Sequence, residues 1–285
     1  MRIRSMVIPA AGMGTRFLPA TKAVPKELLP LGDTPALQYV IDEALGAGID
    51  HIVLVSSAHK PAIAEYARPD PALVETVRRK GDDALAERLA GIGRDWRATV
   101  VFQDAPRGLG HAVGCAADVV DGDAVAVALP DEVMGDATLL SRMVQVCGDT
   151  GGSVVGFMTV PMEQTSAYGV IDPAGPLVDG VVPVADLVEK PAAGTAPSGH
   201  ILIGRYVLTI DVFDEIASTA PGAGGEIQLT DALRAQAARS PFHGVLNTGP
   251  RWDTGTPLGF LLAAIDIAGR DPEVAAAVRA HLNSD

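Results

Sequence analysis

The first loop of the chain holds the residues whose types and spacing best fit chemistry on a phosphorylated ligand. Gly12 and Gly14 directly follow an apolar segment, and without a Cβ they let backbone amides approach anionic oxygens closely. Arg16, Lys22 and Lys26 add three cations to the same loop of a chain whose formal net charge is −13. A glycine pair with these cations, against an acidic background, predicts a polyphosphate site.

The loop matches neither of two common nucleotide motifs. It lacks the Lys-Ser/Thr pair of a Walker A loop, and Phe17 occupies the third glycine position of the dinucleotide pattern GxGxxG. A Gly-x-Gly segment alone fits a tight strand-to-helix turn equally well, so the prediction depends on the neighbouring cations.

Two carboxylates are candidates for holding a metal. Asp131 ends an apolar strand, where an α/β sheet presents ligands, and Asp253 lies in a turn before a helix. A Mg²⁺ ion bound to a nucleotide needs only one or two carboxylates besides phosphate oxygens and waters. For Asp131 alone, a helix cap is the alternative.

Three further polar positions could contact a ligand. Glu189 and Lys190 end another strand, and both reach one ligand only if the strand end twists or bulges; otherwise they form an exposed ion pair. The amide of Gln103 has donors and acceptors that suit an imide base edge such as that of uracil, although an exposed polar strand end is the alternative. His111 has no neighbouring nucleophile, so we do not expect acid/base catalysis from it. We expect a structural role, or a role through residues that bind the ligand.

Motifs along most of the chain resemble those of the sugar-1-phosphate nucleotidylyltransferase family. The resemblance begins with Gly12-x-Gly14-Thr15-Arg16 and Pro25-Lys26-Glu27, and the full loop is similar to the bacterial uridylyltransferase branch. It continues in colinear order through Gly108-Leu109-Gly110-His111, Leu129-Pro130-Asp131, Tyr168-Gly169-Val170, Glu189-Lys190-Pro191, Gly204-Arg205-Tyr206, Gly225-Glu226-Ile227 and Asp253-x-Gly255. Departures are Asp104–Arg107 and the short segment after Asp131.

The resemblance implies a role for each site residue. Catalysis would rest on Arg16, Lys26 and Lys190, and Mg²⁺ on Asp131 and Asp253. Nucleotide contacts would come from Ala10, Ala11, Gly12, Gly14, Thr15, Gln103 and Gly108. Sugar contacts would come from Gly169, Glu189, Gly204 and Glu226.

The implied reaction joins UTP and glucose 1-phosphate into UDP-glucose and pyrophosphate, in a homodimer or homotetramer. Because thymine has the same imide edge as uracil, a thymidylyltransferase that uses dTTP stays open as an alternative. A non-catalytic sugar-nucleotide sensor is a second alternative, although a sensor has no need of the two metal-type carboxylates. A dehydrogenase is disfavoured because the dinucleotide pattern is missing.

The elements that would position these residues alternate between strands and helices. Apolar β-branched runs predict strands at 5–9, 51–55, 99–102 and 124–129. A helix between the first two would have Thr34 as its N-cap, Pro35 in its first turn and Gly48 at its end, and further helices are predicted at 71–89 and 110–119. After Leu129 the pattern predicts strands at 153–160, 180–189 and 200–209 and helices at 228–238, 257–268 and 272–282.

This order, with the family resemblance, predicts a Rossmann-like three-layer α/β/α nucleotidyltransferase fold with a mixed, mostly parallel central sheet. We expect one domain over 1–285, with a nucleotide-binding half at 1–130, a sugar-binding half at 131–250, and a C-terminal metal motif and helices at 251–285.

Composition sets limits on partners and compartment. The 285 residues are 48% hydrophobic and 20% charged, which is typical of a globular protein. With 22 Lys and Arg against 35 Asp and Glu, a broad basic face for nucleic acid is not expected. No stretch approaches the roughly 20 apolar residues of a membrane span, and no signal peptide precedes the first strand, so we expect a cytoplasmic protein. Cys115 and Cys147 lack CxxC spacing, and we expect reduced, buried thiols.

Overall fold

The structure, a computed structural model, describes residues 1–283; residues 284–285, which end the predicted segment 251–285, lie outside the described residues. The strands are β1 (Ile3–Pro9), β2 (Pro30–Leu31), β3 (Thr34–Pro35), β4 (His51–Ser56), β5 (Arg97–Phe102), β6 (Ala124–Ala128), β7 (Glu132–Met134), β8 (Ser153–Thr159), β9 (Gly169–Pro173), β10 (Val181–Glu189), β11 (His200–Thr209), β12 (Phe242–Leu246) and β13 (Arg251–Asp253). The helices are α1 (Ala36–Gly46), α2 (Pro61–Tyr66), α3 (Pro71–Arg79), α4 (Asp83–Gly91), α5 (Leu109–Gly114), α6 (Thr138–Thr150), α7 (Val212–Ser218), α8 (Leu229–Ala237), α9 (Pro257–Ala268) and α10 (Pro272–Leu282).

A mixed nine-stranded sheet with the order β5-β4-β1-β6-β11-β8-β12-β10-β9 forms the centre of the fold. The first half is parallel, since β5, β4, β1 and β6 are joined through helices. In the second half β11 pairs antiparallel with both β6 and β8, and β10 pairs antiparallel with β9 and β12. Parallel pairing recurs there between β8 and β12. Four of the eight neighbouring pairs in this order are parallel, and three of them lie in the N-terminal half. The sheet is therefore mixed, as predicted, but not mostly parallel, because β11 and β10 run antiparallel to their neighbours.

Helices cover both faces of this sheet. In β1, Met6 and Ile8 point into one buried cluster with residues of α1, α2 and α6, whereas Val7 points into another with residues of α5, α7 and α8. Successive strand residues face opposite sides, so a strand covered on both faces is apolar throughout. The three-layer arrangement predicted from the alternating pattern is therefore present.

The first helix begins differently from its prediction. Thr34 lies in β3, opposite Leu31, and its hydroxyl donates to Asp33 Oδ1 at 2.8 Å instead of capping α1. The N-cap position falls on Pro35, which has no side-chain cap, so the prediction for Thr34 was wrong. The end of the helix is close to the prediction, because Gly48 with φ 80° follows the last turn.

Two other predicted helices are shorter than expected. The segment 71–89 is divided into α3 and α4 because Gly81 adopts φ 86° and Asp82 caps the second helix, accepting from the Leu85 N–H at 2.9 Å. Helix α5 ends at Gly114, where 110–119 was predicted.

Both thiols are free, with Cys147 buried and Cys115 partly buried. Burial raises the pKa of Cys147 to about 11, so this thiol stays protonated at neutral pH. Within residues 1–283 no helix is long and apolar enough to cross a bilayer.

Candidate active site

The glycine-rich loop follows β1 without entering a long helix. It passes instead through three single turns of 3₁₀ helix, at Thr15–Phe17, Ala20–Lys22 and Lys26–Leu28. Gly14 adopts φ 62°, and a Cβ there would lie 3.2 Å from Thr21 Cγ2. The Thr21 hydroxyl donates to the Gly14 carbonyl at 2.8 Å and closes the loop on itself. The loop is thus folded back around a cavity of about 180 Å³, lined by Gly14, Thr15, Arg16, Phe17, Lys26 and Gly255.

The two candidate metal carboxylates come together although they are far apart in the chain. Strands β7 and β13 pair antiparallel and place Asp253 opposite Glu132, next to Asp131. Thr254 then binds the Asp131 carbonyl twice, with its N–H at 2.7 Å and its hydroxyl at 3.0 Å. This pairing fixes both acidic residues at one place.

Glycine at 255 lets these carboxylates lie close together, and the Gly255 N–H donates to Asp253 Oδ1 at 2.8 Å. A Cβ on Gly255 would lie 3.0 Å from Asp253 Oδ1, 3.2 Å from Asp131 Oδ2 and 3.6 Å from Arg16 Nη1. Two carboxylate oxygens therefore lie close together beside a guanidinium. The carboxylates can help to hold a divalent cation whose remaining ligands are phosphate oxygens and waters, and Arg16 can bind the phosphate. No group of three or more His, Cys, Asp or Glu that could hold a metal occurs in residues 1–283, so protein side chains alone would not complete a coordination shell.

Lys26 contacts this acidic site directly. Its Nζ lies 2.6 Å from Asp131 Oδ2, with both side chains mostly shielded from solvent. Arg16 reaches the same region and donates to the Gly255 carbonyl at 3.3 Å. Of the predicted catalytic cations in the first loop, Lys26 thus contacts Asp131 and Arg16 contacts the residue two positions after Asp253.

A second cavity, of about 320 Å³, adjoins this region. Its lining includes seven of the predicted site residues: Ala11, Gly12, Lys26, Gln103, Gly108, Asp131 and Glu226. Larger cavities of about 930 and 800 Å³ lie elsewhere, lined by residues such as Arg94 and Trp96, and contain none of the predicted site residues. The predicted site residues therefore line the cavity of about 320 Å³ and not the two larger ones.

Gly108 shapes this cavity by contacting protein. It has φ 100°, and a Cβ there would lie 2.6 Å from the Ile227 carbonyl oxygen and 2.9 Å from Glu226 Cβ. The Ile227 N–H also donates to the Arg107 carbonyl at 2.8 Å. Glycine at 108 therefore lets the loop that carries Glu226 close one side of the cavity.

Ala10 takes part in packing. Its side chain is buried, its N–H donates to the Val55 carbonyl at 2.7 Å, and its own carbonyl accepts from Lys60 Nζ at 2.9 Å. With both backbone groups bonded within the protein, Ala10 holds the start of the loop, and any ligand contact there stays a prediction.

The predicted sugar residues form a second group. Lys190 has φ 41°, which supplies the twist needed at this strand end, and its Nζ lies 3.3 Å from Glu189 Oε1. The Thr230 hydroxyl donates to Glu189 Oε2 at 2.7 Å. A Cβ at Gly169 would lie 3.3 Å from the same oxygen, so glycine gives this carboxylate room.

Gly204 serves the packing of the sheet instead. A Cβ there would lie 2.6 Å from Leu129 Cβ, and its carbonyl accepts from the Leu129 N–H at 2.9 Å. Tyr206, two positions further along β11, is also buried. Burial raises the pKa of its phenol, and the charges of Glu132, Glu189 and Asp131 act in the same direction.

Two buried ion pairs behind the site were not identified from the sequence. Lys60 binds both oxygens of Glu27, at 3.1 and 2.9 Å. Arg205, fully buried, binds Glu43 and also donates to the carbonyls of Leu129 and Glu132 at 3.3 and 2.7 Å. These two carbonyls flank Asp131. The only sequence signal was indirect, because Glu27 and Arg205 lie inside motifs that carry the family resemblance.

Comparison with known proteins agrees with this geometry. The family model described as nucleotidyl transferase matches residues 5–269. The chain is 39% identical over 282 residues to a UTP–glucose-1-phosphate uridylyltransferase of Staphylococcus epidermidis, covering 99% of this chain and 98% of that protein. A protein of the same name from Staphylococcus haemolyticus is 40% identical over 277 residues, covering 96% of this chain and 95% of that protein.

Solved structures of similar chains have the same fold. A UDP-glucose pyrophosphorylase complexed with UDP-glucose superposes with a TM-score of 0.85 at 34% identity, over 94% of this chain and 100% of that chain. A UTP-bound enzyme from Acinetobacter baumannii gives a TM-score of 0.90 at 33% identity, over 99% of both chains. With a family model matched over most of its length and relatives matched end to end, the chain belongs to the nucleotidyl transferase family.

Proposed function

We propose that the protein transfers the uridylyl group of UTP to glucose 1-phosphate, forming UDP-glucose and releasing pyrophosphate. The observation that carries this proposal is the close approach of Asp131, Asp253 and Arg16 around Gly255, beside the cavity that Asp131 and Gln103 both line. Such a site fits a metal-bound triphosphate whose base lies in the adjoining cavity. Relatives that act on, or are bound to, these same compounds support the choice of substrates.

The metal would be Mg²⁺, held by Asp131 and Asp253. When bound, Mg²⁺ withdraws negative charge from phosphate oxygens and holds the triphosphate in one orientation. Lys26, which pairs with Asp131 in this structure, is then free to turn its ammonium group toward the phosphates. Arg16 lines the same small cavity as Lys26 and neutralises charge there.

Catalysis then consists of positioning and charge stabilisation. A phosphate oxygen of glucose 1-phosphate attacks the α-phosphorus of UTP, and the bond from that phosphorus to the bridging oxygen of the β-phosphate breaks. The attacking oxygen is already anionic, so no side chain has to remove a proton. Lys26 and Arg16 stabilise the charge that gathers on the transferring and leaving phosphates, an effect often worth factors of about 10² to 10³ in rate per donor.

The sugar phosphate would be bound from the other half of the chain. Lys190 is exposed and can pair with the phosphate of glucose 1-phosphate, while Glu189, held by Thr230, accepts from sugar hydroxyls. Contacts from Gly169 complete this group. Glu226 lines the nucleotide cavity, so its contact with the sugar requires that the two substrates meet there.

The predicted nucleotide contacts all precede residue 130, and Gly169, Glu189 and Lys190 follow it. This supports a partition into a nucleotide-binding half at 1–130, a sugar-binding half at 131–250 and a metal motif after 251, with Glu226 of the second half lining the nucleotide cavity. We also propose a homodimer or homotetramer. Helix α9 supports self-association, because Leu258, Leu261 and Leu262 are more than half exposed on one apolar helix. Sedimentation of the wild type beside a variant with polar residues at these three positions tests it.

Pyrophosphate release with a panel of triphosphates tests the reaction itself. With glucose 1-phosphate and Mg²⁺, we expect UTP to give the highest kcat/KM and ATP and GTP to be poor substrates, since a purine leaves the imide-reading groups unpaired. Including dTTP separates uridylyl from thymidylyl transfer. Equal rates with ATP and UTP would contradict the assignment of the base cavity.

A further inference from the structure

The side-chain amide of Gln103 is held from two sides inside the nucleotide cavity. Gln103 is 8% exposed, and its Nε2 lies 3.2 Å from the Gly108 carbonyl oxygen and 3.0 Å from His111 Nδ1. A carbonyl oxygen can only accept, so the group that faces Gly108 must be the NH₂ of the amide. The Gly108 carbonyl therefore fixes which way the amide is turned.

The same amide nitrogen then uses its second hydrogen on His111. This requires His111 Nδ1 to be the unprotonated ring nitrogen, with the hydrogen on Nε2, which lies 3.8 Å from Asp104 Oδ1. The backbone of His111 is fixed in the first turn of α5, where its carbonyl accepts from the Cys115 N–H at 3.1 Å. The helix thus fixes the backbone position from which the His111 ring accepts from the amide.

With both amide hydrogens engaged, the group left for a ligand is Oε1 of Gln103. Among the described residues none donates a hydrogen bond to this oxygen, and the side chain lines the cavity beside Gly12 and Gly108. The cavity wall thus presents an acceptor. Uracil has a donor at N3 and can bind it, whereas cytosine has an acceptor at N3 and would face it with like polarity.

We propose that His111 is a positioning residue that, with the Gly108 carbonyl, keeps Gln103 turned so that uracil is selected over cytosine. The inference rests on the proposed function, and it adds the residue that sets the preference between pyrimidines. His111 acts only through Gln103 and touches neither substrate. Replacing the His111 side chain should therefore change the ratio of kcat/KM for UTP to that for CTP more than it changes the rate with UTP.

Two substitutions separate the acceptor of His111 from its bulk. In His111→Asn, Oδ1 stands as many bonds from the backbone as Nδ1 of histidine and can accept from Gln103. His111→Leu keeps the volume and removes the acceptor, so the Gly108 carbonyl alone holds the amide and Gln103 is less firmly oriented. The measurement is kcat/KM for UTP and for CTP with glucose 1-phosphate, with the melting temperature as a control for folding.

We expect the UTP/CTP ratio of His111→Asn to stay near that of the wild type. For His111→Leu the ratio should fall by about fivefold to tenfold, the value of one net hydrogen bond. In a Gln103→Leu background, His111→Leu should leave the ratio unchanged, because the group through which it acts is gone. Equal ratios in His111→Asn and His111→Leu, or a full effect of His111→Leu without Gln103, would overturn the inference.

The nucleotide preference of the wild type distinguishes a failure of the proposed function from a failure of the role of His111. A wild-type enzyme that shows no preference for UTP over ATP refutes the proposed base cavity and, with it, the inference. A wild-type enzyme that prefers UTP while His111→Leu keeps the full UTP/CTP ratio refutes the role of His111 alone.

Discussion

Replacing Lys60 by Met should destabilise the protein strongly, because it leaves the buried carboxylate of Glu27 without a positive partner. Glu27 is 2% exposed, and Lys60 Nζ binds both of its oxygens as well as the Ala10 carbonyl. Removing one partner of a buried ion pair costs about 3–5 kcal/mol. The double variant Lys60→Met with Glu27→Leu removes both charges and leaves only the Ala10 carbonyl without its donor, at about 1–3 kcal/mol. The double variant should thus be more stable than the single one.

Urea unfolding monitored by tryptophan fluorescence measures both free energies of unfolding. Lys80→Met is the matched control, since Lys80 is exposed at the end of α3, and we expect a change within about 0.5 kcal/mol. If Lys60→Met unfolds at the urea concentration of the wild type, Lys60 does not neutralise Glu27. If the double variant is no more stable than the single one, the loss comes from packing and the charge argument fails.

Three other predictions concern the metal-type site and pH. Asp131→Ala should abolish pyrophosphate release at saturating Mg²⁺, and near-normal turnover would rule out a metal role for this carboxylate. Gly255→Ala should raise the Mg²⁺ concentration needed for half-maximal activity and lower kcat by about a hundredfold, because the new Cβ lies 3.0 Å from Asp253 Oδ1; Gly148→Ala, with no atom within 4 Å, is the neutral control. Burial lowers the pKa of three histidines, His51, His200 and His243. In the unfolded chain they bind protons more readily, so the free energy of unfolding should decrease as pH falls below about 6.5 toward their folded pKa values; melting temperatures that stay constant between pH 7 and pH 5.5 would contradict this.

Local patterns predicted the elements that position the site. Apolar β-branched runs located the central strands, and the glycine-rich loop and the two carboxylates were identified by residue type and by their positions at a strand end or in a turn. The local errors have local causes. Thr34 has the residue type of an N-cap but joins a two-residue strand, and Gly81 divides the predicted helix within residues 78–83, six positions without an apolar side chain.

Contacts between distant parts of the chain could not be predicted in this way. Arg205 and Glu43 are 162 positions apart, and nothing in either neighbourhood indicates the other. Family motifs also do not distinguish ligand contact from packing, as Ala10 and Gly204 show. Both occupy motif positions, yet their backbone groups bond within the protein.

The pairing of β7 with β13 determines when the candidate site is completed during synthesis of the chain. The central sheet is complete once β12 has formed at Leu246, whereas Thr254 and Gly255 are translated later and must reach back to Asp131, 123 positions from Thr254. A chain synthesised only as far as β12 therefore contains Gln103 and Gly108, which line the cavity, but lacks the second carboxylate, Asp253, and the two groups of Thr254 that hold the Asp131 carbonyl. The carboxylate pair is thus the last part of the candidate site to be completed during synthesis.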